Sequence, residues 1–238
     1  MTDIPEPALE RSVLADRLAE MQAAITAETR AAGRPEGSVK LVAVSKTMPR
    51  EDVLTALRLG HRIFGENRVQ EAAEKFAGLR DLYPDLELHL IGPLQTNKLN
   101  QALALFDVIE TVDRPKLAEA LAAGLPRDGV RTKHLLVEVN TGEEPQKAGI
   151  LPADADRFIR DCVSRLGLPI AGVMGIPPLD DEPSLHFAWL RELAKRQGLS
   201  TLSMGMSGDF RLAIQQGATH IRVGTALFGA RIKADQSV

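Results

Sequence analysis

The sequence predicts an α/β protein that folds as a single (β/α)8 TIM barrel with an extra N-terminal helix. Short apolar runs alternate with helical patterns eight times between Val39 and Val238, at a spacing of about 25 residues that suits parallel strand–helix units. The runs are apolar throughout, as in parallel strands covered on both faces. No charged linker divides the series, and only 15 residues follow the eighth run, so we see no second domain. An open, doubly wound sheet uses the same elements and is the alternative.

The first part of the chain precedes the repeating pattern. Residues 1–8 contain two prolines and are predicted to be frayed. An amphipathic helix is predicted over residues 9–32 and ends at Gly33, because apolar residues recur every three to five positions, at Leu9, Val13, Leu18, Met21 and Ile25. We expect residues 1–238 to form one domain, in which this helix is an addition to the barrel.

The eight predicted strands are short and rich in valine, isoleucine and leucine. They cover residues 40–45, 62–64, 87–91, 108–111, 134–139, 170–174, 199–203 and 220–223. A helix is predicted after each strand, over residues 49–59, about 68–79, from about 96, 115–124, 154–166, 184–197, 208–216 and from about 225. Pro49 and Pro115 are expected in the first turns of their helices, with Asp113 as the N-cap before Pro115.

Composition excludes several classes of protein. The net charge of −3 with scattered basic residues gives no nucleic-acid surface, and no apolar run reaches membrane-spanning length. A polar N-terminus without a signal peptide predicts a cytoplasmic protein. Cys162 is the only cysteine, so no internal disulfide is possible, and its apolar neighbours predict a core position. No metal site is predicted, because metal-ligand spacing is absent among His61, His89, His134, His186 and His220.

Lys46 is the first candidate for a functional residue. It directly follows the apolar run Leu41–Ser45, so the chain delivers an ammonium group to the C-terminal end of a buried strand. That end is where ligands bind in α/β proteins. A desolvated lysine loses its proton readily, which suits Schiff-base chemistry. A solvated lysine in a strand-to-helix loop is the alternative.

The loops after the seventh and eighth strands predict a phosphate site. They read Met204–Asp209 and Val223–Ala226, and both contain glycine, which lets backbone N–H groups approach an anion. Ser207 and Thr225 add hydroxyl groups, although each could be a simple N-cap. Loops at this position commonly hold phosphate in (β/α)8 barrels. In a closed barrel they neighbour Lys46, so a phosphorylated carbonyl compound could bridge the two. Pyridoxal phosphate and a phosphosugar are the candidates.

Arg222 favours pyridoxal phosphate. It alternates with Ile221 and Val223 on the eighth strand and so points to the opposite face. Pointing inward, it could meet the pyridine nitrogen and, as a group that only donates hydrogen bonds, keep that nitrogen unprotonated. Such an arrangement weakens the cofactor as an electron sink. An arginine on the outer face is the alternative.

Seven segments together resemble the pyridoxal phosphate homeostasis family, which is similar to the N-terminal barrel of bacterial alanine racemase. They span residues 39–231 and are Leu41–Thr47, Phe64–Asn67 with Val69–Glu71, His89–Gly92 with Leu94–Lys98, Val139–Gly142, Gly172–Met174, Leu202–Asp209, and Ile221–Thr225 with Phe228–Gly229. The chain departs from the family pattern at Arg68, Pro93 and Gly175.

The resemblance implies roles for six residues toward pyridoxal 5′-phosphate. Lys46 would form the internal aldimine, Ser207, Gly224 and Thr225 would bind the phosphate, Arg222 would face the pyridine nitrogen, and Asn67 would lie near the ring. For Asn67, an N-cap is the alternative. No catalytic residue is assigned.

Three functions follow from these residues. The favoured one is a carrier that holds pyridoxal phosphate on Lys46 in intracellular homeostasis of the cofactor, with cofactor-dependent apoenzymes as acceptors and a monomer as the expected state. The chain shows no evident second acid or base, and racemisation needs a base on each face of the substrate carbon. A weak alanine racemase-like enzyme is the second function, and a cofactor-free Schiff-base aldolase is the third. The loop at residues 140–152, with Glu143, Glu144 and Lys147, is either a lid over the site or a solvated loop.

Overall fold

A closed barrel of eight parallel strands organises the chain. The computed structural model describes residues 8–229, with side chains described for residues 13–229. The strands pair in sequence order, and β8 returns to β1 with Leu41 opposite Ile221. The strands are β1 Lys40–Val44, β2 Ile63–Glu66, β3 Glu87–Leu90, β4 Val108–Val112, β5 His134–Val139, β6 Ile170–Gly175, β7 Thr201–Ser203 and β8 His220–Val223. The predicted barrel is confirmed, and closure excludes the open sheet.

Helices follow every strand on the outside of the barrel. Their bounds are α1 Ala8–Ala31, α2 Arg50–Arg58, α3 Val69–Lys75, α4 Leu79–Leu82, α5 Leu99–Leu105, α6 Pro115–Gly124, α7 Pro152–Arg160, α8 Pro183–Arg196, α9 Phe210–Gln215 and α10 Thr225–Phe228. A 3-10 turn, Thr96–Lys98, precedes α5, and a π-helical turn, Asp161–Arg165, extends α7. Buried Cys162 lies in that turn, as predicted for a core residue, and burial raises the pKa of its thiol to about 11.

The extra helix α1 packs on the outside of the barrel against α9 and α10. Among its described side chains, Leu14, Leu18, Ile25 and Thr29 are buried. Leu18 and Ile25 belong to the predicted apolar stripe, but Val13 is exposed and its neighbour Leu14 is buried instead. Its polar side reaches α9 through an ion pair of 2.5 Å between Glu28 and Arg211. Fraying is predicted for residues 1–8, of which residues 1–7 lie outside the described residues and Ala8 already begins the helix.

The helices differ from the prediction in the N-caps of α6 and α2 and in an interruption between α3 and α4. Asp113 is not the N-cap of α6, because Arg114 takes that position with an extended backbone before Pro115. Pro49 is itself the N-cap of α2 instead of its first helical residue. The helix predicted to run to residue 79 is divided, because Gly78 adopts a left-handed conformation with φ of 69° between α3 and α4.

Two apolar clusters divide the inside of the barrel from its outside. The main core holds Ile109, Val137 and Val173, which face the helices. Neighbouring positions on the same strands, Val108, Leu136 and Met174, form a small separate cluster. Side chains alternate across a strand, so this second set lies on the inner face of the barrel. We call the space that the inner faces enclose the lumen.

Candidate functional site

A cavity of about 460 Å³ lies at the C-terminal end of the strands. Its lining comes from Val44 on β1, Arg222 on β8, and the segments that follow β1, β2, β3, β6, β7 and β8. All six residues singled out from the sequence are among its lining residues, namely Lys46, Asn67, Ser207, Arg222, Gly224 and Thr225. The structure therefore brings together residues that are up to 179 positions apart in the chain.

Lys46 sits in a tight turn immediately after β1. The carbonyl oxygen of Ser45 accepts a hydrogen bond of 3.0 Å from the N–H of Met48, so Lys46 and Thr47 are the two central residues of the turn. Thr47 has φ of 64°, a left-handed conformation that a β-branched residue seldom adopts. The turn presents the ammonium group of Lys46 to the cavity.

Asn67 is held in place by a close approach between two loops. A side-chain carbon built onto Gly92 would stand 2.4 Å from the carbonyl oxygen of Asn67, so only glycine permits this contact. The N-cap of α3 is Arg68, which removes the N-cap alternative for Asn67. Asn67 is free to serve the cavity that it lines.

The two glycine-containing loops also meet at the cavity. Gly205 turns the chain after β7 with φ of 93°, and a side-chain carbon there would stand 2.5 Å from that of Ala213. The N-cap of α9 is Asp209, so Ser207 does not cap that helix. The N-cap of α10 is Gly224, and Thr225 is the first helical residue. Neither hydroxyl is therefore explained by capping, and both face the cavity.

Arg222 points into the lumen, so the outer-face alternative is excluded. Its guanidinium donates hydrogen bonds of 2.6 Å to Ser203 Oγ and 3.1 Å to the carbonyl oxygen of Gly175. Glu110 lies 3.8 Å from it. Burial lowers the pKa of Arg222, and the charges of Glu110 and Glu138 oppose that shift. Arginine stays protonated under all physiological conditions, so the group remains a fixed donor at the floor of the cavity.

A chain of hydrogen bonds continues from Arg222 through the lumen. Ser203 Oγ donates to Glu110 Oε2 over 2.5 Å, and Glu110 Oε1 accepts from His89 Nδ1 over 2.6 Å. His89 Nε2 then donates to Glu87 Oε1 over 2.8 Å. The chain thus links the N-terminal end of β3 with the cavity; Glu110 and His89 are buried, and Glu87 at its end is 32% exposed.

Alternating charges run along this chain. Burial disfavours charge on His89, but hydrogen bonds with Glu110 and Glu87 raise its pKa to about 9. Burial likewise opposes ionisation of Glu110, yet His89 lowers the pKa of that carboxyl to about 2. The hydrogen bond from His89 lowers the pKa of Glu87 to about 2 as well. At neutral pH the order is Glu87⁻, His89⁺, Glu110⁻, Arg222⁺.

Two further titratable groups face this chain in the lumen. Burial, with a contribution from the charge of Asp113, raises the pKa of Glu138 to about 7, and its Oε2 atom is buried without a partner among the described residues. Burial, together with the charge of His89, lowers the pKa of His220 to about 4, so its ring is neutral. The two histidine rings lie 5.8 Å apart.

The charge of the cavity lining is positive. Lys46 and Arg222 are the ionisable side chains among the described residues that line it, and no carboxylate is among them. Arg222 cannot release its proton, so Lys46 is the one described lining residue able to exchange a proton. Such a site can bind a phosphate ester and offer an amine to a carbonyl carbon.

The loop at residues 140–152 is held by hydrogen bonds and an ion pair between its own residues, and it lies beside β6. The side chain of Asn140 donates a 2.8 Å hydrogen bond to the carbonyl oxygen of Glu144 and accepts one of 3.2 Å from its N–H. Lys147 forms an ion pair with Glu144 and donates to the carbonyl oxygen of Pro177 over 3.3 Å. No residue of this loop is among the described lining residues of the cavity, so the lid interpretation gains no support.

Sequence reasoning missed the lumen partners of Arg222 and part of the lining. The sequence predicts no role for Glu110 or Ser203 and only a structural role for His89. The available signal was polar residues two positions apart on a strand, as with Glu87 and His89 on β3 or Thr201 and Ser203 on β7, because such residues share one face. Further lining residues that were missed are Thr47, Met48, Ile91, Ile176, Met206 and Gly229.

Neither a metal centre nor a membrane span is present in the part of the chain that the structure describes. Within residues 8–229, no cluster of three or more histidine, cysteine or acidic side chains could hold a metal ion. None of the described helices is both long and apolar enough to cross a bilayer.

Comparisons with known proteins agree on one family. Residues 18–232 match the family model described as alanine racemase, N-terminal domain. The pyridoxal phosphate homeostasis protein of Pseudomonas aeruginosa is 42% identical over 225 residues, 92% of this chain and 96% of that protein. The protein of the same name from Vibrio alginolyticus is 41% identical over 210 residues, 84% of this chain and 89% of that one.

A solved structure matches in fold as well as in sequence. PipY of Synechococcus elongatus PCC7942, determined with pyridoxal phosphate bound, superposes with a TM-score of 0.75 at 41% identity. The match covers 91% of this chain and 100% of that one. The barrel and its sequence thus point to the same relatives.

Proposed function

Because the chain belongs to the alanine racemase N-terminal domain family and, within it, to the pyridoxal phosphate homeostasis proteins, we propose that its cavity binds pyridoxal 5′-phosphate. We propose further that Lys46 holds the cofactor as a lysine aldimine, and that the protein stores and releases it without turning over a substrate. The observation that carries the proposal is the cavity that joins Lys46, Arg222 and both glycine-containing loops.

The residues of the cavity fit the cofactor. A side-chain carbon built onto Gly208 would meet nothing within 4 Å, so the backbone of that loop borders open space. The side chains of Lys46, Asn67, Ser207 and Thr225 have no hydrogen-bond partner among the described residues, so all four remain available to a ligand. A positive lining without carboxylates suits a dianionic phosphate ester.

Each predicted residue then has a role. Ser207 and Thr225 donate hydroxyl hydrogen bonds to the phosphate, and Gly224 allows close backbone approach. Arg222 donates to the ring nitrogen, and Asn67 contacts the ring. Lys46 supplies the amine for the aldehyde carbon. When bound, pyridoxal phosphate supplies that electrophilic aldehyde and an electron-withdrawing ring.

Two features favour a carrier over a racemase. Racemisation needs a proton-exchanging group on each face of the substrate carbon, and Lys46 is the one such group among the described lining residues. Arg222 also keeps the ring nitrogen unprotonated, which weakens the cofactor as an electron sink. The carrier would hand the cofactor to apoenzymes that depend on it, acting as a monomer in the cytoplasm.

The visible spectrum of the loaded protein tests the cofactor and its lysine together. We expect a visible band after incubation with pyridoxal phosphate, lost on borohydride reduction and absent in Lys46→Ala. Exposed Lys133 provides the matched control, and Lys133→Ala should keep the band. A wild-type protein that stays colourless at saturating cofactor would refute the proposal. The cavity would then be interpreted as the substrate site of a cofactor-free Schiff-base aldolase.

A second assay separates a carrier from an enzyme. The loaded protein is incubated with L-alanine and D-alanine in turn, and the enantiomers are separated by chiral chromatography. We expect no interconversion above that of free pyridoxal phosphate. Robust turnover that disappears in Lys46→Ala would establish the racemase-like function instead.

A further inference from the structure

We propose that Lys75, together with Glu66 and Glu71, is a positioning residue that holds the turn carrying Lys46. The inference rests on the proposed function, because it assigns these residues a role toward the lysine that bonds the cofactor. None of the three lies among the described lining residues of the cavity. Their effect would be exerted through the backbone on either side of Lys46.

The turn needs stabilising contacts from outside itself, because its backbone is strained. Thr47 follows Lys46 with φ of 64°, where a side chain crowds its own backbone and a β-branched one does so most. A conformation of this kind persists only when the surroundings fix it. Without such a hold, the turn would relax and the ammonium group of Lys46 would change its direction.

Lys75, on α3, provides such contacts through hydrogen bonds. Its ammonium group donates 2.6 Å to the carbonyl oxygen of Ser45, 2.8 Å to Glu66 Oε1 and 2.9 Å to Glu71 Oε1. These three bonds use all three hydrogens of the ammonium group. Lys75 therefore has a single arrangement available, and one of its bonds fixes the residue immediately before Lys46.

The two glutamates complete the hold on both sides of the turn. Glu71 Oε1 accepts a 2.5 Å hydrogen bond from the N–H of Thr47, the residue after Lys46. Glu66 Oε1 accepts a 2.7 Å hydrogen bond from Ser45 Oγ, the residue before it. The peptide groups that flank Lys46 are thus tied to one ion cluster at the carboxyl ends of β1 and β2, in which Glu66 and Lys75 are buried and Glu71 is partly exposed.

The cluster is poorly suited to a purely stabilising role. Glu66 and Lys75 have side-chain exposures of 0% and 6%. Burial raises the pKa of Glu66 even though Lys75 and Ser45 bond to it, and its Oε2 atom has no partner among the described residues. A buried ion pair often adds no stability over apolar residues of the same volume. Its geometry, directed at one turn, is the property that an apolar replacement could not supply.

The experiment compares a probe that bonds Lys46 with one that cannot. Pyridoxal phosphate has the aldehyde that condenses with the lysine, whereas pyridoxine 5′-phosphate carries an alcohol there and reports only on the cavity. For Lys75→Met we expect the rate of borohydride-trappable loading to fall roughly tenfold or more, as for other misplaced reacting groups. The affinity for pyridoxine 5′-phosphate should change by less than about twofold, because the phosphate loops share no partner with Lys75.

Two further variants keep the test valid if Lys75→Met does not fold. Glu71 is partly exposed, so Glu71→Ala should fold and still release the N–H of Thr47. Glu71→Gln keeps an acceptor oxygen at that position and should restore most of the loading rate. A structural role would not distinguish the alanine variant from the glutamine variant in this way.

Arg80 at the other end of the barrel is the matched control. It forms an ion pair of 2.6 Å with Asp107 and also donates to two backbone carbonyl groups, far from the turn. Arg80→Met should lower stability and leave loading unchanged. Equal loss of both probes, or normal loading, in Lys75→Met and Glu71→Ala would overturn the inference. A wild-type protein that does not load at all would instead refute the proposed function.

Discussion

The lumen and the layer between the barrel and the helices differ in the polarity of their side chains. The outer layer is apolar and packed, with fully buried Phe64, Phe106 and Phe187 among its largest side chains. The lumen holds alternating charges from Glu87 to Arg222 and only a small apolar cluster. Apolar burial contributes most of the folding free energy, whereas buried charges contribute little net stability.

The apolar outer layer therefore stabilises the barrel, whereas the lumen carries the polar side chains of the cavity. Side chains alternate between the two regions along each strand, so one strand serves both purposes. On β8, Ile221 and Val223 pack outward while Arg222 faces the cavity. The lumen network holds that guanidinium in one direction, and the outer layer supplies the stability that offsets its cost.

The largest expected effect is in the outer layer. Phe64 is fully buried and stacks edge-on with His61 at 5.1 Å and Phe76 at 5.6 Å between ring centroids. Phe64→Ala should lower the free energy of unfolding by about 3–5 kcal/mol, as removal of a large aromatic core side chain does. Urea titration followed by circular dichroism measures it. A loss below about 1 kcal/mol would show that this layer does not dominate stability.

Breaking the lumen network is expected to cost slightly less. Glu110→Leu leaves both His89 and Arg222 without their shared carboxylate, and removal of one partner from a buried pair costs roughly 3 kcal/mol. The same urea titration applies, with Glu110→Gln as the variant that keeps hydrogen bonding. If Glu110→Leu were as stable as the wild type, the network would not be a coupled unit.

The pH dependence of stability distinguishes the lumen from the outer layer. Glu138 has a pKa of about 7 in the folded protein, above its unfolded value, so its contribution to stability is complete below about pH 4.5 and is lost as pH rises through 7. Glu138→Gln should therefore be more stable than wild type at pH 8, by roughly 3 kcal/mol, and not at pH 4. An equal difference at both pH values would contradict the assignment.

The smallest expected effect on stability is that of Ser203→Ala, which tests whether Ser203 positions the Arg222 guanidinium. Ser203 Oγ accepts from Arg222 and donates to Glu110, so Ser203→Ala removes one link and should cost about 1 kcal/mol. The guanidinium then loses one of its two hydrogen bonds and keeps the one to Gly175, and the visible band of the loaded protein should shift. Thr201→Ala, on the same strand but at its far end, is the control and should leave the band in place.

The sequence predicted the outer layer better than the lumen. All eight strands were predicted near their observed positions, because apolar runs of that length are local signals. The resemblance to the pyridoxal phosphate homeostasis family is confirmed, and its six residues meet at one cavity, although their contacts with the cofactor remain predictions. The role of Lys75 could not be predicted, because it depends on how α3 approaches the turn at Lys46, a tertiary contact without a sequence pattern.

The direction of side chains inside the barrel was the other missing information. Glu110 and Ser203 lie on strands that are far apart in the chain, and only barrel closure brings them to Arg222. Asp113 was wrongly predicted as an N-cap, because Arg114 adopts the extended backbone that precedes α6.

Peptide mapping after borohydride reduction tests the central claim most directly. The protein is loaded with pyridoxal phosphate, reduced, digested and analysed by mass spectrometry. We expect one pyridoxyl-labelled lysine, Lys46, at near one label per chain. Label on another lysine, or an unlabelled Lys46 in protein that demonstrably binds the cofactor, would contradict the assignment of this cavity and this residue.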